Sequence, residues 1–397
     1  MDELRFGMYI AELDREWTDT PFPFQGFVLR TREQLRVLRH YCKHVHIDTE
    51  RVGRDEDDPV TPARPALQPD ALPNRTRYPQ TAQLEAEFVR AEYLYAKART
   101  LLEDAMFSLQ GSDILDSRRL RDGLALLTDS VVRNPDALLL ASQMRAKSGD
   151  LARRALNVSI YMIVFGRYLQ RPREEIELLG LAGLLQDVGK MKLPDELLRK
   201  ETPLSAEELD LARSHVLHSV EILRLSAGLP ARVVEIAAQH HERLDGSGYP
   251  RGLKGREIGL HGSIAGLVDT FDALTAVRPY ADQIPPSVAL GLLYKERDMK
   301  FDAELVEQFI RCIGVFPVGS VVELNSGEIG VVLSQNAEQR LKPRVMVVTD
   351  ASGLRLRPCK ILDLARTPKA RRDEPYTIRR TLESDRLRIE PGELFLS

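Results

Sequence analysis

Residues 240–255 read HHERLDGSGYPRGLKG: two adjacent imidazoles and a carboxylate, then glycines and a proline that mark a loop. Five of the eight histidines fall between positions 215 and 261, inside a region whose apolar residues recur at helical spacing. Further on, Asp269 and Asp272 stand three apart and share a helix face. Upstream, Gln186, Asp187, Val188, Gly189 and Lys190 close a helix whose apolar face holds Leu181, Leu184 and Leu185. A carboxylate on such a helix is costly unless it is paired or bound to a metal. Imidazoles converging with carboxylates suit Mn, Fe, Zn, Co or Ni. On spacing alone, a metal site stands about level with a structural role, in which the His pair closes a helix and Asp187 pairs with Lys190.

Outward from this stretch the helical pattern fills residues 149–313, with a capping-type helix start at Thr202, Ser205, Glu207 and Glu208. Residues 80–148 read as a helical connector. It opens on a helix over 81–109 whose stripe is Leu84, Phe88, Ala91, Tyr95 and Ala98, and Asn134 and Pro135 take cap and first-turn positions of its last helix. Before it, residues 51–79 carry prolines at 59, 62, 65, 69, 73 and 79, a composition that forms neither helix interior nor central strand and predicts an extended linker. Residues 1–50 read as a small α/β module, with strands near Met8–Leu13, Gly26–Leu29 and His44–Ile47 around a helix opened by Thr31. Past Gly314 the period changes to two. Ser320–Leu324 and Ile329–Ser334 form a hairpin, Arg344–Thr349 and Ile361–Leu364 further strands, and a basic, mostly polar tail follows Ala365, so that 314–397 is a small β module and tail. The expected fold is α+β and multidomain: a mainly α bundle flanked by a small N-terminal α/β module and a C-terminal β module.

The chain has 397 residues, enough for two to four domains. Lys plus Arg (56) against Asp plus Glu (59) leaves a net charge of −3, which argues against a nucleic-acid binder. The arginines at 371, 372, 379 and 380 are interspersed with acids and read as a solvated face. Cys42, Cys312 and Cys359 lie far apart, which fits a reducing compartment and excludes a disulfide scaffold. The start, MDELRFGMYI, lacks the features of a signal peptide, and no apolar run approaches a membrane span, so a cytoplasmic location is expected. His40, Cys42, His44 and His46 form a dense patch of candidate ligands, read as part of a packed module in preference to a metal site. His218 and His261 read as partly exposed or hydrogen-bonded residues.

The string at 240–255 resembles the signature of the HD-GYP family of bacterial cyclic di-GMP phosphodiesterases. So do LGLAGLLQDVGKMKLPDELL (179–198) and AGLVDTFDALTAVRPY (265–280), and the likeness covers about 150–310. LRFGMYIAELDREWTDTPFPFQGF (4–27) resembles a module that often accompanies such proteins. The resemblance implies an HD-type helical bundle holding two or three metal ions that cleave a 3′–5′ phosphodiester. Two cations sharing a carboxylate activate the nucleophile and stabilise the phosphoryl charge. Carried over by position, Asp187 is the bridging ligand and a catalytic residue; His215, His240 and His241 complete one metal, and Asp269 belongs to the other. Lys190 reaches the phosphate as the second catalytic residue, and Lys190, Tyr249 and Arg278 contact the dinucleotide.

Departures from the pattern carry as much weight. The name-giving His-Asp pair is Gln186–Asp187 here, and an HxxNV segment reads RALNV, with Arg154 for the histidine. Asp150 stands where some three-metal members have Glu, and Ala281 where some aim a basic residue at the ligand. An amide oxygen is a weak ligand and a guanidinium is none. The expectation is therefore one divalent transition metal per chain, Fe or Mn, on Asp187, His215, His240 and His241. The favoured reading is a degenerate phosphodiesterase with weak or no hydrolysis, acting as a cyclic di-GMP sensor or as a docking partner for diguanylate-cyclase-type domains through its GYP loop. An active metal-dependent phosphodiesterase is the alternative, and a metal-free scaffold the third. The oligomeric state is left open, a homodimer among the options.

Overall fold

Strand β1 (Tyr9–Leu13) pairs antiparallel with β2 (Phe27–Val28) on one side and β3 (Val45–Asp48) on the other. Helix α1 (Arg32–Tyr41) supplies Leu38 to a core it shares with Leu4, Ile10, Leu13, Leu29 and Cys42. The computed structural model describes residues 4–14, 27–29, 32–48, 75–109, 114–144, 150–276, 284–336, 339–371 and 374–382. The helix-opening Thr31 and most of the proline-rich stretch lie outside them. The chain divides into two units, Met1–Gln68 and Pro69–Ser397.

The second unit begins with α2 (Leu84–Leu109), α3 (Ser117–Arg133) and α4 (Pro135–Met144). The apolar stripe of α2, from Leu84 through Phe88, Ala91, Tyr95 and Ala98 to Leu102, is buried against α3, α4 and α5 (Leu151–Tyr168). The one charge on that face, Glu87, is satisfied by the Ser130 hydroxyl at 2.8 Å and by Arg133 at 2.8 Å. Helices α2, α3 and α4 thus pack directly against the rest of the helices.

Next come α6 (Arg173–Leu185), a 3₁₀ turn (Val188–Lys192), α7 (Asp195–Leu198), α8 (Ala206–Arg213), α9 (His215–Leu225) and α10 (Ala231–Gln239). After the 240–255 loop follow α11 (Gly259–Thr275), α12 (Pro286–Lys295) and α13 (Ala303–Ile313). Ser205 and Glu208 cap α8 reciprocally. The α5–α6 pair forms the centre; a Cβ on Gly183 would lie 3.0 Å from the Ser159 backbone, tighter than ordinary contact, so the glycine lets the two helices approach closely.

A five-stranded antiparallel sheet ends the described chain, in the order β7-β6-β5-β4-β8. Its strands are β4 (Val321–Leu324), β5 (Ile329–Ser334), β6 (Arg344–Thr349), β7 (Arg355–Asp363) and β8 (Ile378–Leu382). Two expectations are corrected here. The strand placed at Ile361–Leu364 is the end of the longer β7, and the polar tail contains β8, which pairs with β4 from Val321↔Leu382 to Leu324↔Ile378. Its arginines are exposed but not merely solvated: Arg379 and Arg380 bind Glu323 of β4 at 3.1 and 2.6 Å.

Candidate metal centre

Asp187 leaves the end of α6 with φ −100° and ψ 7° and opens the 3₁₀ turn. Two residues on, Gly189 lets that turn lie against the start of α9: a Cβ there would overlap the His215 carbonyl and the Ser219 backbone nitrogen. The Gly189 N–H donates to Ser219 Oγ at 2.8 Å and fixes the approach. The Asp187 carboxylate is thereby aimed at His215, and α10 delivers His240 and His241 at its C-terminal end.

The protonation of two of these rings follows from their hydrogen bonds. His215 Nδ1 lies 2.6 Å from the Ala212 carbonyl and His240 Nδ1 2.7 Å from that of Ala237. A carbonyl only accepts, so both Nδ1 atoms carry hydrogen, and in the neutral ring Nε2 is a bare lone pair. Those Nε2 atoms face Asp187 Oδ1 at 3.2 and 3.5 Å. All three atoms are buried and make no hydrogen bond. Three electron-pair donors turned on one point repel each other unless a cation lies between them. With His241, ligand atoms of the four residues lie within 4.8 Å of one another, the one such group among the described residues. The donor set, two carbonyl-oriented imidazoles with a third imidazole and a carboxylate, fits a divalent transition metal.

Burial pushes the Asp187 carboxyl up, but the positive charges of Lys190 and Arg154 outweigh it and hold it well below the usual carboxylate range. Lys190 Nζ is 2.6 Å from Asp187 Oδ2. Burial, with His240 next to it, holds His241 well below the ordinary histidine value, which keeps its lone pair available.

On the other flank Arg154 of α5 is surrounded by carboxylates. Its guanidinium lies 3.1 Å from Asp269, 3.6 Å from Asp272 and 4.0 Å from Asp187. Burial alone would lower its pKa; Asp269, Asp187 and Asp272 raise it instead. Asp272 is pushed up to about 6, first by burial and then by Asp269, against the pull of Arg154. Asp269 is 3.9 Å from His241 Nδ1. Gln186 is buried, and neither atom of its amide is hydrogen-bonded. Asp150 is not brought into this group: it caps α5, accepting from the Arg153 N–H at 2.7 Å, and pairs with Arg99 at 3.0 Å.

The loop after His241 places Tyr249 over the site. Its ring stacks on His241 with centroids 4.7 Å apart, and the Arg213 guanidinium lies 5.2 Å from its centroid. Burial and the nearby Asp187 and Asp269 raise the Tyr249 hydroxyl pKa. The buried Glu242 ties the loop down by accepting from the Arg251 and Leu253 N–H groups at 2.8 and 2.9 Å. Arg243 braces the same turn through the His240 and Glu242 carbonyls. Arg243 and Arg213 were not singled out from sequence, and Glu242 was noted there directly behind the histidine pair without a role. Arg278 and Ala281 lie outside the described residues.

The histidine patch of the first unit is not among the ligand groups found in the described residues. Cys42 is in the core there, and His44 and His46 meet edge-on at 6.1 Å. The side chain of His40 lies outside the described residues. His261 is 3.4 Å from Glu175.

Comparison with known proteins adds lineage to this geometry. The HD domain family matches residues 138–305, a domain of unknown function (DUF3391) matches 1–116, and a KOW domain associated with HD domains matches 321–370. A cyclic di-GMP phosphodiesterase of Pseudomonas aeruginosa is 32% identical over 366 residues, covering 92% of this chain and 88% of that protein. A 3′3′-cGAMP-specific phosphodiesterase of Vibrio cholerae is 36% identical over 42% of this chain and 32% of its own length. A cyclic di-GMP phosphodiesterase of Thermotoga maritima is 39% identical over 34% of this chain and 36% of its own. No helix among the described residues is long and apolar enough to cross a membrane. With an HD domain around the HHERLDGSGYP loop and a phosphodiesterase relative matched over nearly its whole length, the chain belongs to the HD-GYP family.

Proposed function

We propose that this is a cyclic di-GMP protein whose site works with one metal and a guanidinium in place of two metals. Asp187, His215, His240 and His241 hold one divalent transition ion, Fe or Mn. The observation that carries this reading is the contrast between the two flanks: unbonded donor atoms converge on one side, while Arg154 is held among three carboxylates on the other.

When bound, such an ion supplies Lewis acidity toward a phosphoryl oxygen. The chain's own groups set what else is available. Lys190 balances Asp187 and offers its ammonium to a phosphate, while Tyr249 and Arg278 contact the dinucleotide. Arg154 neutralises Asp269 and Asp187, so a second cation is not needed for charge balance. A guanidinium stays protonated, coordinates nothing and does not acidify water as a metal does. Loss of one metal's contribution removes several kcal/mol of transition-state stabilisation, on the order of thousands-fold in rate. Hydrolysis is accordingly very slow or absent, and the protein acts as a nucleotide sensor or docks diguanylate-cyclase-type domains through the GYP loop.

A second reading, an active phosphodiesterase, draws on the name of the Pseudomonas relative. Metal analysis of the purified protein, a cyclic di-GMP titration and a turnover assay decide between them. The first reading expects one equivalent of metal, saturable binding and negligible turnover. Two or more equivalents retained after mild chelation, with manganese- or iron-dependent hydrolysis abolished by His240→Ala, would overturn it.

A further inference from the structure

Arg213 closes α8, two residues before His215 of the metal centre. Its backbone is held by the turn that joins the two helices. The Ser214 N–H donates to the Asp210 and Leu211 carbonyls, and the Ser214 hydroxyl donates to Leu211 at 2.6 Å. The carbonyl that orients the His215 ring belongs to Ala212, the residue just before Arg213. The root of the Arg213 side chain is therefore as fixed as the site itself. Its outer end is not: the side chain is 45% exposed, and its one ion pair among the described residues is with Asp210, 3.4 Å away and 77% exposed. A solvated pair of this kind holds its arginine weakly. The guanidinium lies over the Tyr249 ring, 5.2 Å from the centroid.

We propose that Arg213 reads the base of the bound dinucleotide and selects guanine over adenine at Tyr249. The inference rests on the cyclic dinucleotide reading above, in which a base stacks on the half-buried Tyr249 ring beside His241. Stacked groups lie about 3.5–4 Å apart. A purine on the ring therefore either borders the guanidinium or takes its place, and in both cases the Arg213 donors come to the edge of the base. The phosphate has its own cation in Lys190, 2.6 Å from Asp187, which leaves Arg213 to the base.

The chemistry of the edge sets the choice. Guanine presents two acceptors, O6 and N7, at the spacing of two guanidinium N–H groups. Adenine keeps N7 but puts an amino donor where O6 was, so one N–H of the arginine then faces another donor. A glutamine amide, with one donor and one acceptor, matches the adenine edge instead.

Calorimetric titration of the metal-loaded full chain with cyclic di-GMP and with cyclic di-AMP tests this. The readout is the ratio of the two affinities, which a merely structural role leaves alone. The wild type is expected to prefer cyclic di-GMP by about tenfold or more, as one bidentate contact allows. Arg213→Ala should weaken cyclic di-GMP by about tenfold and cyclic di-AMP little, and Arg213→Gln should bring the ratio close to one. Tyr249→Ala should weaken both. Where turnover is seen, the ratio of kcat/KM values takes the place of the affinity ratio. Arg213 is exposed, so folding is not at stake, and circular dichroism and metal content verify it. A wild type that binds neither dinucleotide brings down the nucleotide reading and this inference with it. A wild type that binds both equally, or a ratio unchanged in Arg213→Gln, overturns the role of Arg213 and leaves the nucleotide reading standing.

Discussion

Exchanging Arg154 for a neutral imidazole would take away a fixed positive charge and put a lone pair among Asp187, Asp269 and Asp272, which lie 3.1–4.0 Å from the guanidinium now. With Lys190 already on Asp187, it is Asp269 and Asp272 that lose their cation, and two buried carboxylates left so are strongly unfavourable, so the altered site gains affinity for a metal. Gln186, next to Asp187 in the chain, is buried with an amide that bonds to nothing, and a second imidazole there supplies the other missing donor. The double variant Arg154→His with Gln186→His is expected to raise bound metal from one equivalent toward two, read by elemental analysis. Either single change should do much less, because one imidazole leaves the second site short of a ligand. Both positions were legible in the sequence because they break a motif. Asp272 was legible only as a neighbour of Asp269 on a helix face; its contact with Arg154 joins helices more than 100 residues apart. Asp150 was placed by position in a motif, and the capping role that occupies it is a local backbone demand that motif alignment does not register.

At the scale of elements, the site depends on how closely the 3₁₀ turn approaches α9. Gly189→Ala places a methyl group against the His215 carbonyl and the Ser219 nitrogen, both backbone and unable to swing aside. The turn must move, and Asp187 with it. We expect a loss of about 2–3 kcal/mol in stability, at the upper end for an overpacked site, together with weaker metal retention, measured by urea denaturation and by chelator competition. The glycine itself is plain in the sequence, but which backbone it lets in is a tertiary fact. The same division holds for the helices and strands. The stripe of α2 is a local pattern and could be read directly; β5 and β6 are instead buried on both faces from Gly330 to Ser334 and from Val345 to Thr349, so their β-branched residues marked them as strands where alternation did not. Strand β8, Ile-Arg-Arg-Thr-Leu, is short and basic, and only pairing with Glu323 of β4 makes its arginines compatible with a sheet.

For the whole second unit, one joint between helices and sheet carries a titrating group. Asp136 of α4 accepts from the Gln335 N–H just past β5 at 3.3 Å. Burial pushes its carboxyl up to about 7, against the Gln335 amide, Arg167 and Arg344. In the unfolded chain the same group titrates at about 4. From about pH 4 to 7 the folded protein therefore keeps a proton that the unfolded chain has released. The stability this group contributes is fully present at low pH and is lost as pH rises through 7. Asp136→Asn holds the uncharged form at every pH, so it should gain on the wild type by roughly 2–3 kcal/mol between pH 5 and pH 8, read from urea midpoints. An equal offset at both values would place the proton elsewhere.

The closing of the sheet by β8 has a practical side for anyone handling the protein. The match to the KOW domain stops at residue 370, eight residues before β8 begins at Ile378, so a chain shortened at that boundary loses its outermost strand. What remains at the rim is β4, with Val321, Val322 and Leu324 buried and a row of backbone donors and acceptors from Val321 to Leu324 suddenly unpaired. Natural sheets guard such a rim with charge, and here the guard is Arg379 and Arg380. The shortened chain should therefore clump where the full one stays in solution, rim joining rim, even with every residue of the metal centre intact.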